Sequence, residues 1–213
     1  MSLITIDDHL DVLLVIDLQP DFMPGGALAV SEGDRIVPLV NALIARFAQV
    51  VVTQDWHPPG HASFASSHAG AKPFDTKRLH YGDQTLWPDH CVQGTAGAAL
   101  HPDLVVDSAF LVIRKGMHEG VDSYSAFVEA DGRTTTGLGA LLKARGVKRA
   151  FVCGLATDYC VAFSALDAAA AGFETFVIED ACRAIDVGGS LDAAWARMQA
   201  AGVRRILSSD ILG

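Results

Sequence analysis

Residues 12–17 read VLLVID, five apolar side chains closed by an aspartate. An unbroken apolar run of this length suits a strand buried on both faces, the condition of a parallel sheet covered by helices. Comparable runs recur at Val50–Thr53 (VVVT), Leu111–Arg114 (LVIR), Ala150–Gly154 (AFVCG), Thr175–Glu179 (TFVIE) and Arg205–Ser208 (RILS). All six are read as buried strands. Helical patterns lie between them. Gly33–Ala48 places Ile36, Val40, Leu43, Ile44 and Phe47 at helical spacing, which makes one face apolar. Leu138–Arg145, Asp158–Ala171 and Leu191–Ala201 each end before a glycine, the residue that most readily stops a helix. This alternation predicts an α/β fold: an open, doubly wound, mainly parallel six-stranded sheet with helices on both faces, a Rossmann-like three-layer arrangement.

One stretch departs from the pattern. Residues 57–102 hold six of the eight histidines and five of the eight prolines. Trp87, Phe64, Phe74 and Tyr81 within it, and Trp56 just before it, argue for an ordered insertion rather than disorder. The length of 213 residues fits one domain over 1–213. With 16 basic and 25 acidic side chains the net charge is −9, which disfavours nucleic acid and anionic membrane surfaces as partners. No apolar run approaches a membrane span. The opening MSLITIDDHLD carries three aspartates and no basic residue, unlike a secretory signal. Four cysteines are too few for a disulfide scaffold, so reduced thiols and a cytoplasmic setting are expected. The expected partner is a small molecule; a homo-oligomer stays open.

In open parallel sheets ligands bind beyond the carboxyl ends of the strands, where the strand order reverses. The first strand ends at Asp17, the second leads to Asp55 and His57, the third to Lys115, and the fourth to Thr157, Asp158 and Cys160. A common doubly wound order makes the first and fourth strands neighbours and brings Asp17 to Cys160. Cys160 falls just inside a predicted helix with Thr157 or Asp158 as its N-cap, where the dipole favours thiolate and free amides favour an oxyanion. Asp17 and Lys115 fit either a structural ion pair or, with the thiol, a base and a cation that lowers the thiol pKa. Cys153 and Cys182 are read as packing residues, and so is Cys91, although its place after His90 leaves it open as a further metal ligand. Asp55 and His57, two apart in extended chain, point the same way, and His90 and His61 from the insertion can join them. This donor set suits one divalent ion: zinc, manganese or iron. His9, His68, His80, His101 and His118 are read as surface residues.

The segments VIDLQPDFMPGGALAV (15–30), TQDWHPPGHASF (53–64), WPDHCVQGTAGA (87–98), RKGMHEGVDSYSAF (114–127) and CGLATDYCV (153–161) resemble the nicotinamidases, within the isochorismatase-like cysteine hydrolases. The resemblance runs from about Val12 to the end of the chain. It implies Asp17, Lys115 and Cys160 as catalytic triad, and Asp55, His57 and His90 as metal ligands, with His61 a further ligand or a holder of bound water. It matches Leu155–Ala156 to a cis peptide that aims the amides of Ala156 and Cys160 into an oxyanion hole. Phe22, Leu28, Trp87, Tyr124, Leu155 and Tyr159 fall where a pyridine pocket is lined. The implied activity is hydrolysis of nicotinamide to nicotinate and ammonia through a Cys160 thioester in NAD salvage, with pyrazinamide as a second substrate. The rival readings are another cysteine amidohydrolase of the superfamily, such as an N-carbamoylsarcosine amidase, and a noncatalytic metal-binding protein on the same fold.

Overall fold

The structure is a computed structural model that describes residues 3–213; Met1 and Ser2 of the expected domain lie outside the described residues. Its main sheet contains β1 (Asp11–Ile16), β2 (Val50–Asp55), β5 (Leu111–Lys115), β6 (Arg149–Leu155), β7 (Glu174–Arg183) and β8 (Arg204–Ile206), in the order β5-β2-β1-β6-β7-β8. Every pairing in it is parallel. From β1 the chain works outward through β2 to β5. It then returns to β6 on the other side of β1 and works outward again. The order therefore reverses between β1 and β6, whose carboxyl ends open the crevice where such sheets bind ligands.

The helices α1 (Val37–Ile44), α2 (Leu138–Ala144), α3 (Ala162–Ala170), α4 (Ser190–Ala200) and α5 (Ser209–Leu212) flank the sheet. Gly146 and Gly172, with φ of 81° and 95°, follow α2 and α3 as the sequence predicts. All six residues of β1 and of β2 are buried. One hydrophobic cluster runs from Val12 to Ile211, with Phe151 and Phe176 stacked at 4.6 Å across β6 and β7. No helix among the described residues is long and apolar enough to cross a membrane.

Several local expectations change. β5 is an edge strand rather than a buried one: Val112 is 44% exposed, and Arg114 lies over the Trp56 ring at 4.0 Å. Gly33–Ala48 divides into a 3-10 turn at Gly33–Ile36 and the shorter α1, whose Pro38 sits in the first turn, where a missing amide hydrogen costs nothing. The 57–102 insertion carries an antiparallel hairpin, β3 (Thr76–Leu79) and β4 (Gly82–Thr85). Phe64 and Trp87 are buried in it as expected, but Phe74 is 47% exposed, with its ring T-shaped to Trp87 at 5.9 Å.

Candidate active site

Asp17 follows the last residue of β1 in a left-handed conformation (φ 48°) and is fully buried. Its amide donates to Thr53 Oγ1 at 3.0 Å, and the Thr53 hydroxyl donates back to Oδ1 at 2.5 Å. Lys115, the last residue of β5, points its ammonium into the same space. Nζ donates to Asp55 Oδ1 and the Ser123 carbonyl at 3.0 Å each and to Cys160 Sγ at 3.4 Å. Asp17 Oδ2 lies closer to Nζ than any of these, 2.8 Å away in a fully buried ion pair, and accepts no well-aligned hydrogen bond among the described residues. That oxygen is placed to take a proton.

Cys160 differs from its sequence reading in two ways. Thr157–Val161 is a π-helical turn ahead of α3, and neither Thr157 nor Asp158 caps it; the capping position is Ala156, whose methyl group can accept no hydrogen bond. The amides of Tyr159 and Val161 both bond the Ala156 carbonyl at 3.1 Å, while the Cys160 amide between them makes no bond to it. The Leu155–Ala156 peptide is cis. Secondly, burial, with the Asp17 and Asp55 charges, outweighs Lys115 and raises the thiol well above the usual range. Burial likewise raises Asp17, against the pull of Lys115. The resting pair is therefore a neutral thiol beside a strengthened base. Lys115 itself stays charged: burial opposes this, but the Asp17 and Asp55 carboxylates prevail.

Asp55 ends β2, and Gln19 clamps its backbone at both polar atoms, accepting from the amide at 2.7 Å and donating to the carbonyl at 2.9 Å. Its Oδ2 faces His57 Nε2 at 3.0 Å and His90 Nε2 at 3.4 Å. The other ring nitrogens are fixed elsewhere: His57 Nδ1 donates to the Gly116 carbonyl at 3.0 Å and His90 Nδ1 to that of Pro88 at 2.8 Å. In those tautomers both Nε2 atoms present lone pairs to a carboxylate oxygen, the arrangement of a cation site with its outer hydrogen bonds in place. A proton can take the place of the cation: Asp55 raises the His57 pKa although burial opposes charge on the ring, and His57 and Lys115 hold the Asp55 pKa well below normal although burial opposes the carboxylate. These three residues fit a divalent cation.

His61 packs on His57 with ring centroids 4.3 Å apart. Its Nδ1 meets Ser63 Oγ at 2.7 Å, and its Nε2 the carbonyls of His118 and Val121 at 3.1 Å each. Its ligand atoms group with His57 and Asp122 rather than with the Asp55–His57–His90 trio.

Phe22, Leu28, Trp87, Tyr124 and Tyr159 line one cavity with Asp55, His57, His90, Ala156 and Cys160. Leu155 is not on its wall; it is fully buried, near Gly33. Asp17 and Lys115 sit behind the nucleophile. Asp122, Ile185 and Gln84 were not singled out from sequence. Asp122 and Ile185 line the cavity. Gln84, from β4, donates to Asp122 Oδ2 at 2.7 Å and Tyr124 Oη at 2.9 Å, and Trp87 Nε1 donates to the same hydroxyl at 3.0 Å. Gln19 carried a signal, an amide amid apolar residues just past the first strand. Asp122 and Gln84 carried none.

Gly116 supplies the carbonyl that orients His57 and has no room for a side chain. Its φ is 65°, and a Cβ would lie 2.5 Å from His57 Cε1. Gly116→Ala is expected to turn the ring and weaken metal binding by about 10- to 100-fold, as loss of an outer-shell partner does. Metal titration of the purified variant checks this; unchanged affinity would show that the ring has another anchor.

A parallel sheet that brings Asp, Lys and Cys together behind a three-donor cation site defines a cysteine hydrolase of the isochorismatase-like class. Residues 11–210 match the Isochorismatase domain family. The nicotinamidase of Acinetobacter baylyi is 56% identical over 200 residues, covering 94% of each chain. Among solved structures, a nicotinamidase/pyrazinamidase of Acinetobacter baumanii superposes with a TM-score of 0.94 at 55% identity, over 95% of this chain and 98% of that one. PnC1 of L. infantum, solved with nicotinate, gives 0.86 at 42% identity over 98% of both chains. The chain belongs to the isochorismatase family and, within it, to the nicotinamidases.

Proposed function

We infer that this protein hydrolyses nicotinamide to nicotinate and ammonia, with pyrazinamide as a second substrate. The observation that carries the reading is the single cavity onto which Cys160 opens beside Asp55, His57 and His90, with Asp17 and Lys115 behind the thiol. Asp17 Oδ2 takes the proton from Cys160 Sγ while Lys115 balances the charge of the pair. The thiolate adds to the carboxamide carbon, and the amides of Ala156 and Cys160 hold the oxygen as it becomes an anion. Asp17 returns the proton to the leaving nitrogen, ammonia departs, and a thioester to Cys160 remains. Asp17 then takes a proton from water as its oxygen attacks the thioester carbon; the acid leaves and the proton goes back to sulfur. Asp55, His57 and His90 would hold a divalent ion, for which zinc fits the donors and manganese or iron are alternatives, and it would supply a Lewis-acidic point for the pyridine nitrogen. Trp87, Tyr124 and Tyr159 wall the ring. Reduced, buried thiols at Cys91, Cys153 and Cys182 fit a cytoplasmic setting.

The test is ammonia release by purified, metal-loaded protein. Nicotinamide should yield ammonia and nicotinate in equal amounts, and benzamide, lacking the ring nitrogen, should be turned over at least about tenfold less efficiently. Faster hydrolysis of an N-carbamoyl amine would select the rival amidohydrolase. Tight nicotinamide binding without ammonia would select the binding protein.

A further inference from the structure

The pocket is narrow: the centre of a water molecule can range over about 20 Å³ inside it. A ring that enters must pass between the wall residues, and the part of the wall that yields most easily sets its entry. Most of the wall is tied down: Trp87 and Tyr124 share a hydrogen bond that Gln84 reinforces, His57 and His90 are held at backbone carbonyls, and Gln19 grips Asp55.

Ile185 differs. It lies in residues 184–189, between β7 and α4, without regular structure. Val187 in that segment is 46% exposed, and Asp186, Gly188 and Gly189 all have left-handed φ values. Among the described residues, the side-chain hydrogen bonds that reach this segment from outside α4 all come from one residue. Asp158, buried two positions before the nucleophile, accepts from the Ile185 amide on Oδ1 at 3.0 Å and from the Asp186 amide on Oδ2 at 2.8 Å. The Ser190 hydroxyl also donates to Oδ2, at 2.5 Å, and accepts from the Val187 amide at 3.0 Å.

We propose that residues 184–189 form a lid over the pocket and that Asp158 is its latch: release of the Ile185 and Asp186 amides admits the ring, and their recapture packs Ile185 against it. Asp158 is thus a positioning residue, one that couples pocket closure to the turn carrying Cys160. The identity of the ring rests on the function proposed above; the lid does not need it, because a thiol reagent must pass the same opening.

The experiment measures alkylation of Cys160 in the intact protein by iodoacetamide and by the bulkier N-ethylmaleimide, with Cys153 as an internal reference in the core. Ser190→Ala removes one bond to the latch, and Asp158→Asn removes part of the acceptor itself. Each should speed Cys160 labelling by about two- to tenfold, the weight of one hydrogen bond, and more for the bulkier reagent, while Cys153 stays protected. Nicotinate should slow hydrogen exchange at the Ile185 and Asp186 amides in the wild type. Unchanged Cys160 labelling in both variants, or a parallel rise at Cys153, would overturn the lid. If Asp158→Asn fails to fold, Ser190→Ala decides alone. Failure of nicotinamide hydrolysis in the wild type would instead strike at the function and leave the labelling result standing.

Discussion

Cys160→Ala is expected to lower kcat for nicotinamide by about 10⁴-fold or more while metal content and folding persist. The expectation rests on geometry. Cys160 is the one cysteine on the cavity wall, 3.4 Å from Lys115 Nζ; Cys91, Cys153 and Cys182 are packed into the core. Removing the thiol removes the atom that forms the thioester and leaves the substrate pocket and cation donors intact. Cys153→Ala is the contrasting variant: a core vacancy costs about 1 kcal/mol or somewhat more, read as a shift in urea midpoint, with turnover retained. Rapid quench of wild type and mass spectrometry should place the acyl group on Cys160. A Cys160→Ala protein within tenfold of wild type would end the covalent mechanism.

Asp17→Asn should cost about 10² to 10⁴ in kcat/KM, the usual worth of a general base. The substitution is severe here for a second reason. Thr53 donates its hydroxyl hydrogen to Oδ1, so the carboxamide keeps its oxygen there and turns its NH₂ toward Lys115, 2.8 Å from the present Oδ2. Two donors then face one another in a fully buried space. Asp17→Ala relieves that clash and still lacks the base, so it should be slow as well. If either variant retains near wild-type kcat/KM, the proton goes to another group.

The strands that build the crevice were readable because their function in the fold is simple. β1 and β2 are buried along their whole length, and VLLVID and VVVT say so directly. The strand-end acids, Lys115 and Cys160 could be seen from the same runs, as could the neighbourhood of β1 and β6. What escaped depends on long-range partners. TKRL and GDQT carry no apolar alternation because most of the β3–β4 hairpin faces solvent, so only tertiary contact reveals that Gln84 reaches Tyr124. Asp158 looks like an N-cap locally but spends its oxygens on residues 27 to 32 positions away. Leu155 belongs to the right motif yet turns into the core. A dipole argument favoured thiolate at Cys160, and burial, which no local pattern reports, reversed it.

Asp55 reaches Lys115 with one oxygen and His57 and His90 with the other. The two halves of the pocket therefore share a carboxylate, and its electron density cannot be polarised toward one without being drawn from the other. In thermodynamic terms, cation binding and the chemical state of Cys160 are linked functions. Linkage is symmetric: whatever free energy an ion adds to or removes from the thiol, the thiol returns as a change in the ion's affinity. Alkylated, acylated and free forms of the protein should accordingly hold metal with different strengths, although no proposed ligand is a sulfur atom.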